Sequence, residues 1–251
     1  MARSSYYYHQ KRSLLVDKYK ETKLLIHQIY HHHKGRLGYR RITLEINKRD
    51  TLINHKTVLK LMRELGLKSL VRAKRYKSYK GHIGETAPNI LQRNFKAIRP
   101  NKKWATDITE FKILGNKLYL SPIIDLFNRE IISYQLSEKP DFKQVAIMLK
   151  KSFKKIPDQT NLILHSDQGW QYQMRQYQRL LKEKGITQSM SRKGNCLDNA
   201  VIENFFGILK SELFYLNKYN SISQLKKDIK EYIKYYNNER IKGNLNGMSP
   251  T

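Results

Sequence analysis

A chain of 251 residues with 39% hydrophobic content, 17 Tyr and 8 Phe can build one large or two ordinary domains, which excludes a disordered protein. Its 49 Lys+Arg against 21 Asp+Glu give a formal charge of +28 and a pI near 10.0, far beyond what solubility needs, and point to a polyanionic partner. One cysteine, Cys196, excludes an internal disulfide and a cysteine-based zinc cluster, and no apolar run reaches the roughly 18 residues of a membrane helix.

The N-terminus MARSSYYYHQKRS lacks the apolar core of a secretory signal, so a cytoplasmic protein with no membrane partner is expected. Charge is uneven along the chain. Residues 1–103 hold 26 Lys+Arg against 6 Asp+Glu, and residues 104–251 hold 23 against 15. The first stretch reads as a binding region and the second as an ordinary globular domain.

Residues 11–33 carry Leu14, Leu15, Lys18, Leu25, Ile26 and Ile29 at helical spacing. His31, His32 and His33 follow; three adjacent histidines cannot face one metal from a helix, and they read as a solvated run. Gly35 and Gly38 end this helix. Residues 39–66 predict two short helices around a turn at Thr51–Ile53. Ile42, Leu44 and Ile46 lie in the first. Asn54 is the expected N-cap of the second, Val58, Leu61, Met62 and Leu65 its buried stripe, and Gly66 its stop. Lys56, Lys60 and Arg63 lie on its outer face. The pattern is that of a helix-turn-helix, and a plain helical hairpin with a basic face has the same spacing. Residues 68–103 read as a basic linker able to follow a phosphate backbone.

From Trp104 the texture changes. WATDITEFKIL, NKLYLSPIIDLF and REIISYQLS predict three strands, with turns at Gly115-Asn116 and Asn128-Arg129. A helix follows over Phe142–Phe153, then the short strand NLILHSD, a helix over 172–184 ended by Gly185, the strand ITQSM and the loop SRKGNCLDN. The order βββ-α-β-α-β-α predicts an α/β fold, a mixed sheet with helices on its faces. In the next helix Ile202, Phe205, Leu209 and Leu213 share one stripe, Glu203 sits a quarter-turn away, and Lys210 lies in line two turns on. A last helix over 223–236 has Ser223 as its expected cap and Leu225, Ile229, Tyr232, Ile233 and Tyr236 inward.

Three acids break their local patterns. Asp107 interrupts a strand, Asp167 ends one ahead of a glycine turn, and Glu203 stands at the shoulder of an apolar helix. Alone, each reads as a structural residue: a strand acid paired with a lysine, a turn former, a helix salt bridge. Together, three carboxylates repel one another, and a divalent cation removes that cost. Hard oxygen donors select Mg2+ or Mn2+ over zinc. Two such ions about 3.5–4 Å apart hold a phosphate between them, activate an attacking oxygen and stabilise the leaving one.

WATDIT around Asp107, HSDQGWQY around Asp167 and SRKGNCLDNAVIENFFGILKSE around Glu203 resemble the DDE transposases of bacterial insertion sequences. The match is to the second-frame product of the group assembled from two overlapping reading frames. There are 59 residues between the two aspartates and 35 between Asp167 and Glu203, the latter spacing shared with retroviral integrases. Lys210, the closing YNNERIKGNLNGMSP and the helical GYRRITLEI…INHKTVLKLMRELGL also match, so the resemblance runs over residues 34–250.

The resemblance implies an RNase H-like core (the integrase catalytic core) behind a small helix-turn-helix-like domain. Asp107 would lie on the first strand, Asp167 after the fourth and Glu203 on a late helix. It implies two Mg2+ ions, with Mn2+ able to substitute, held by these catalytic acids. Double-stranded DNA is the implied partner, as terminal inverted repeats and target, with cleavage at an element end followed by strand transfer. Lys210, Arg40, Arg41, Lys56, Lys60 and Arg63 are the candidate DNA contacts, the N-terminal ones mostly to phosphates. Gln168, His165 and Asn199 are expected to orient the acids. A homo-oligomer on DNA and an upstream-frame protein, separate or fused, are further implied partners. The expected division is 1–67 helical and DNA-binding, 68–103 linker, 104–215 catalytic core, and 216–251 a C-terminal helix and tail on that core. The alternatives are a non-catalytic DNA-binding regulator derived from a transposase, and an RNase H-type nuclease that only hydrolyses.

Overall fold

The structure, a computed structural model, describes residues 3, 4, 7, 17–49, 51–70, 86–192 and 196–251, without the side chains of Cys196 and Asn244. Leu14 and Leu15 of the first predicted helix, residues 71–85 of the linker, and Lys193, Gly194 and Asn195 of the loop lie outside the described residues. The chain divides into two compact units, Met1–Leu70 and Val71–Thr251.

In the first unit three helices, α1 (Lys20–His32), α2 (Tyr39–Asn47) and α3 (His55–Glu64), close around Ile26, Ile29, Leu37, Ile42, Ile46, Val58, Leu61 and Met62. The turn after α1 needs glycine. Gly35 has φ +71, and a Cβ there would stand 2.7 Å from Leu70 Cδ1. Asn54 caps α3 as its position predicts, its Oδ1 accepting from Lys56 N–H at 2.8 Å. One expectation is corrected. His33 is not part of a solvated run; it is 5% exposed, because the chain turns inward after α1, while His31 and His32 stay outside.

The second unit is built on a six-stranded sheet: β1 (Lys103–Thr106), β2 (Thr109–Ile113), β3 (Asn116–Asp125), β4 (Ile131–Ser137), β5 (Ile163–Ser166) and β6 (Thr187–Met190). β3 runs antiparallel to β1 and β2 along one side and to β4 along the other. β1, β5 and β6 are mutually parallel neighbours. The single strand expected over 104–114 is therefore two. Both pieces keep one register against β3, Thr106 facing Ile123 and Thr109 facing Leu120. The gap at Asp107-Ile108 falls where Pro122 stands in β3. Proline has no N–H to give the ladder, and its carbonyl accepts from Thr106 Oγ1 at 2.9 Å instead.

Helices cover both faces, which is why eight consecutive residues of β3, Leu118–Asp125, are buried. On one face α6 (Ala200–Leu209) and α7 (Ile222–Asn238) pack on Ala105, Phe111, Leu118, Leu120 and Ile124. On the other, α4 (Phe142–Phe153) and α5 (Arg175–Lys184) pack on Trp104, Ile123 and Leu164. Alternate residues of each strand thus feed opposite layers. The helix expected from 172 begins at Arg175, after a 3-10 turn at Trp170–Tyr172. The cap of α7 is Ser221, accepting from Gln224 N–H at 3.1 Å, and not Ser223. Among the described residues no helix is long and apolar enough to cross a membrane.

Candidate active site

The parallel pairing of β1 and β5 sets Lys103 beside Ile163 and Ala105 beside His165. Two residues further, the same register brings Asp107 level with Asp167. Each stands one position past the C-terminal end of its strand, where open α/β sheets bind ligands. Neighbouring strands are about 4.8 Å apart, so the side chains are forced together. Asp107 is accordingly not inside the first strand, as expected from sequence, but at the break below Pro122. Asp167 follows the fifth strand and not the fourth, because the first is split.

Each aspartate is steadied by a local backbone donor. Asp107 Oδ1 accepts from Ile108 N–H at 2.6 Å, and Asp167 Oδ1 from Gly169 N–H at 2.9 Å. A Cβ at Gly169 would lie 3.0 Å from that same Oδ1, so the turn tolerates little else. Burial pushes the Asp107 carboxyl well above the usual carboxylate range, and the charge of Asp167 pushes it further; Ile108 N–H pulls it down, Glu203 raises it and Lys210 lowers it. Burial also raises Asp167, against the Gly169 hydrogen bond. The structure therefore brings Asp107, Asp167, Glu203 and Lys210 into one electrostatic neighbourhood. Two phenols that sequence reading missed, Tyr172 and Tyr177, are fully buried beside the pair, their rings 5.4 Å apart. Burial first, then the aspartate charges, holds both phenols protonated.

Glu203 lies in the first turn of α6, and a buried network sets where that helix starts. Asp198, 1% exposed in the 3-10 turn Cys196–Asn199, accepts from Arg93 Nε at 3.0 Å, Arg192 Nε at 2.9 Å and Asn89 Nδ2 at 2.9 Å. Arg192 foremost, then its backbone N–H and Arg93, hold the Asp198 carboxyl far below the carboxylate range in spite of burial. His165, fully buried, donates through Nε2 to the Asp198 carbonyl at 2.9 Å and accepts at Nδ1 from Ser189 Oγ at 2.8 Å. An acceptor-only carbonyl fixes this tautomer, and burial keeps the ring neutral. His165 thus orients the turn ahead of Glu203 rather than an aspartate. Gln168 ties its amide to the Ser191 carbonyl at 3.1 Å and also serves the framework. Asn199 is buried at the start of α6, and its side chain makes no cap hydrogen bond.

Lys210 does not continue a regular helix. After Leu209 the chain widens into a π-turn over Lys210–Phe214, and Lys210 Nζ lies 5.3 Å from the Phe111 ring centre. The turn is anchored by Glu212, 3% exposed, which accepts from Arg240 Nε at 2.8 Å, Arg240 Nη2 at 2.7 Å and Tyr232 Oη at 2.8 Å. Asp198 and Glu212 both stand in the quoted motif around Glu203; of their arginines Arg192 is six residues from Asp198, while Arg93 and Arg240 lie 105 and 28 residues from their acids.

In the first unit Arg40, Lys56, Lys60 and Arg63 are exposed, the last three along the outer face of α3. Lys60 pairs with Glu64 at 3.9 Å. Arg41 is turned inward, with Nη2 donating to the Arg36 carbonyl at 2.6 Å. That bond ties one edge of the half-buried guanidinium to the turn before α2.

Residues 97–196 and 203–251 match the integrase core domain, and residues 17–75 an HTH-like domain. The chain is 58% identical over 248 residues to the putative transposase InsK for insertion sequence element IS150 of Escherichia coli strain K12, covering 99% of this chain and 88% of that protein. It is 36% identical over 243 residues to the transposase for insertion sequence element IS904 of Lactococcus lactis, covering 96% and 93%. The HTLV-2 integrase catalytic core domain, solved in complex with magnesium, overlaps 61% of this chain and 95% of its own at TM-score 0.49 and 18% identity. The chain therefore belongs to the insertion-sequence transposases that join an HTH-like domain to an integrase core domain.

Proposed function

We propose that this chain binds the ends of its element and performs DNA cleavage and strand transfer through Asp107, Asp167 and Glu203 with bound Mg2+. The observation that carries the reading is the level pair of aspartates at adjacent strand ends. Burial raises both carboxyls, and the charge of Asp167 raises that of Asp107 further. Among the described residues, each gains a backbone hydrogen bond but no cation at a range comparable to the arginines on Asp198. Carboxylate oxygens suit Mg2+, with Mn2+ as substitute, and a divalent charge would cancel the repulsion. Among the described residues no three His, Cys, Asp or Glu are grouped tightly enough to hold an ion as they stand. Closure of Glu203 on the aspartate pair as DNA arrives belongs to the same reading.

When bound, two such ions hold the scissile phosphate and share the charge of its attacking and leaving oxygens. The protein's part is placement. Asp107 and Asp167 present oxygens from a rigid sheet, and Glu203 supplies the third carboxylate from α6. Lys210, on the π-turn, meets a phosphate beside the site. Residues 1–67 supply end recognition, with Arg40, Lys56, Lys60 and Arg63 on phosphates. A homo-oligomer on DNA and an upstream-frame partner complete the proposed assembly.

The test is Glu203→Gln. It should abolish strand cleavage and joining on duplexes carrying element ends, with DNA affinity nearly unchanged. Cleavage at a near wild-type rate would remove the assignment.

A further inference from the structure

We propose a second DNA-binding site on the catalytic unit: a lysine-walled groove along the open edge of the sheet, which takes a phosphate backbone. The proposal rests on the reading that DNA is the substrate. Among the described residues β4 has a strand neighbour on one side only, β3. On its other side lies a groove of about 670 Å³, floored by Ile131–Leu136. Lys151 of α4 and Lys155 of the turn after it form one wall, and Lys226, Lys230 and Lys234 of α7 form the other. Among the described residues no acid lines it.

Lys226, Lys230 and Lys234 follow i, i+4 spacing within α7, so they present their ammonium groups along one ridge, about 6 Å apart. Lys151, Lys155, Lys230 and Lys234 are exposed. Lys226 is tied to Glu138 at 2.5 Å, and Lys151 also donates to Gln135 Oε1 at 2.8 Å. An evenly spaced row of cations faced by two more matches a polymer that carries charge at regular intervals, and a nucleic-acid strand does so every 3.4 Å or so of its axis.

Other occupants fit worse. An added peptide strand needs free backbone groups on β4. Asn237 takes both groups of Ile131, its Oδ1 accepting from N–H at 2.9 Å and its Nδ2 donating to the carbonyl at 3.0 Å. Gln144 Nε2 takes the Gln135 carbonyl at 3.0 Å. The edge is thus blunted against strand addition. A two-fold contact with a second copy would set lysine against lysine. β4 is two strand spacings from β1, about 10 Å, so a backbone in the groove runs along the same sheet as the strand that leads to Asp107, on the outer side of β4.

The experiment measures affinity of the full chain for a blunt duplex of arbitrary sequence across a salt series. Replacing Lys151, Lys155, Lys230 and Lys234 together by Gln should lower the slope of log affinity against log salt by about 3–4, near 0.9 for each phosphate no longer neutralised. The same four positions changed to Arg should keep the slope within about 1 of wild type. Circular dichroism checks that both variants fold. An unchanged slope in the Gln variant overturns the proposal. So does a change confined to self-association in sedimentation velocity, or displacement of polyglutamate with DNA binding intact. Metal-dependent cleavage by the wild-type chain is measured alongside. Loss of that activity with a groove-dependent slope would sink the catalytic reading alone, and cleavage with a groove-independent slope would sink the groove alone.

Discussion

Two pairs of acids in the second unit are treated in opposite ways. At the ends of β1 and β5, Asp107 and Asp167 are raised by burial and stand against each other. In the turn before α6 and the π-turn after it, Asp198 and Glu212 each meet arginine head-on, at 2.9 Å and 2.7 Å. Under the proposed function, the difference separates framework from chemistry. A buried carboxylate matched by guanidinium is satisfied and holds elements in place. A half-buried pair without such a match stores repulsion, which the proposed cation-dependent reaction would use.

The largest expected effect breaks the reactive side of the comparison. Asp107→Asn should reduce DNA cleavage by about 10³-fold or more, measured on end-bearing duplexes at saturating protein. Next comes the satisfied side. Arg240→Met leaves Glu212 buried without its bidentate partner and should cost about 3–5 kcal/mol in chemical denaturation. Adding Glu212→Gln should restore part of that loss, since most of the cost comes from the uncompensated charge.

Asp198→Asn should cost about 1–3 kcal/mol at neutral pH. Its folded carboxyl is depressed, so the stabilisation is present above the unfolded value and lost as pH falls through the folded one. The gap between variant and wild type should shrink below about pH 4. A gap that persists in acid would show that the arginines are held by something else. The smallest effect has the opposite sign. In metal-free buffer at neutral pH, Asp107→Asn should raise Tm by about 2 °C or more, as about 1 kcal/mol does for a chain of this size. Its folded carboxyl is raised, so wild type is penalised above the unfolded value, and the difference should vanish in acid.

Much of this was legible in the residues. The α3 cap at Asn54 and the span of α4 at Phe142–Phe153 follow from side chains within a few positions of each other. So does the αL stop at Gly185, with φ 72. The three acids stood out because each interrupts an apolar pattern. Other features were hidden for one reason: their cause is distant in sequence. The break after Thr106 comes from Pro122, a partner across the sheet. The clamp on Asp198 needs Asn89 and Arg93, 109 and 105 residues away. The cap of α7 is Ser221 and not the expected Ser223, with Leu225 and Ile229 of the same helix packed on the core.

By itself the sequence determined the helices and strands, the apolar faces that bury them, and the presence of three out-of-place acids. Those properties depend on neighbours one to four residues apart, where the backbone fixes the geometry. Tertiary structure alone decided which carboxylates would be neutralised and which left to repel, and it gathered a lysine row and two facing lysines around one strand edge. Coulomb energy depends on distance in space, and folding sets that distance with little regard for separation along the chain.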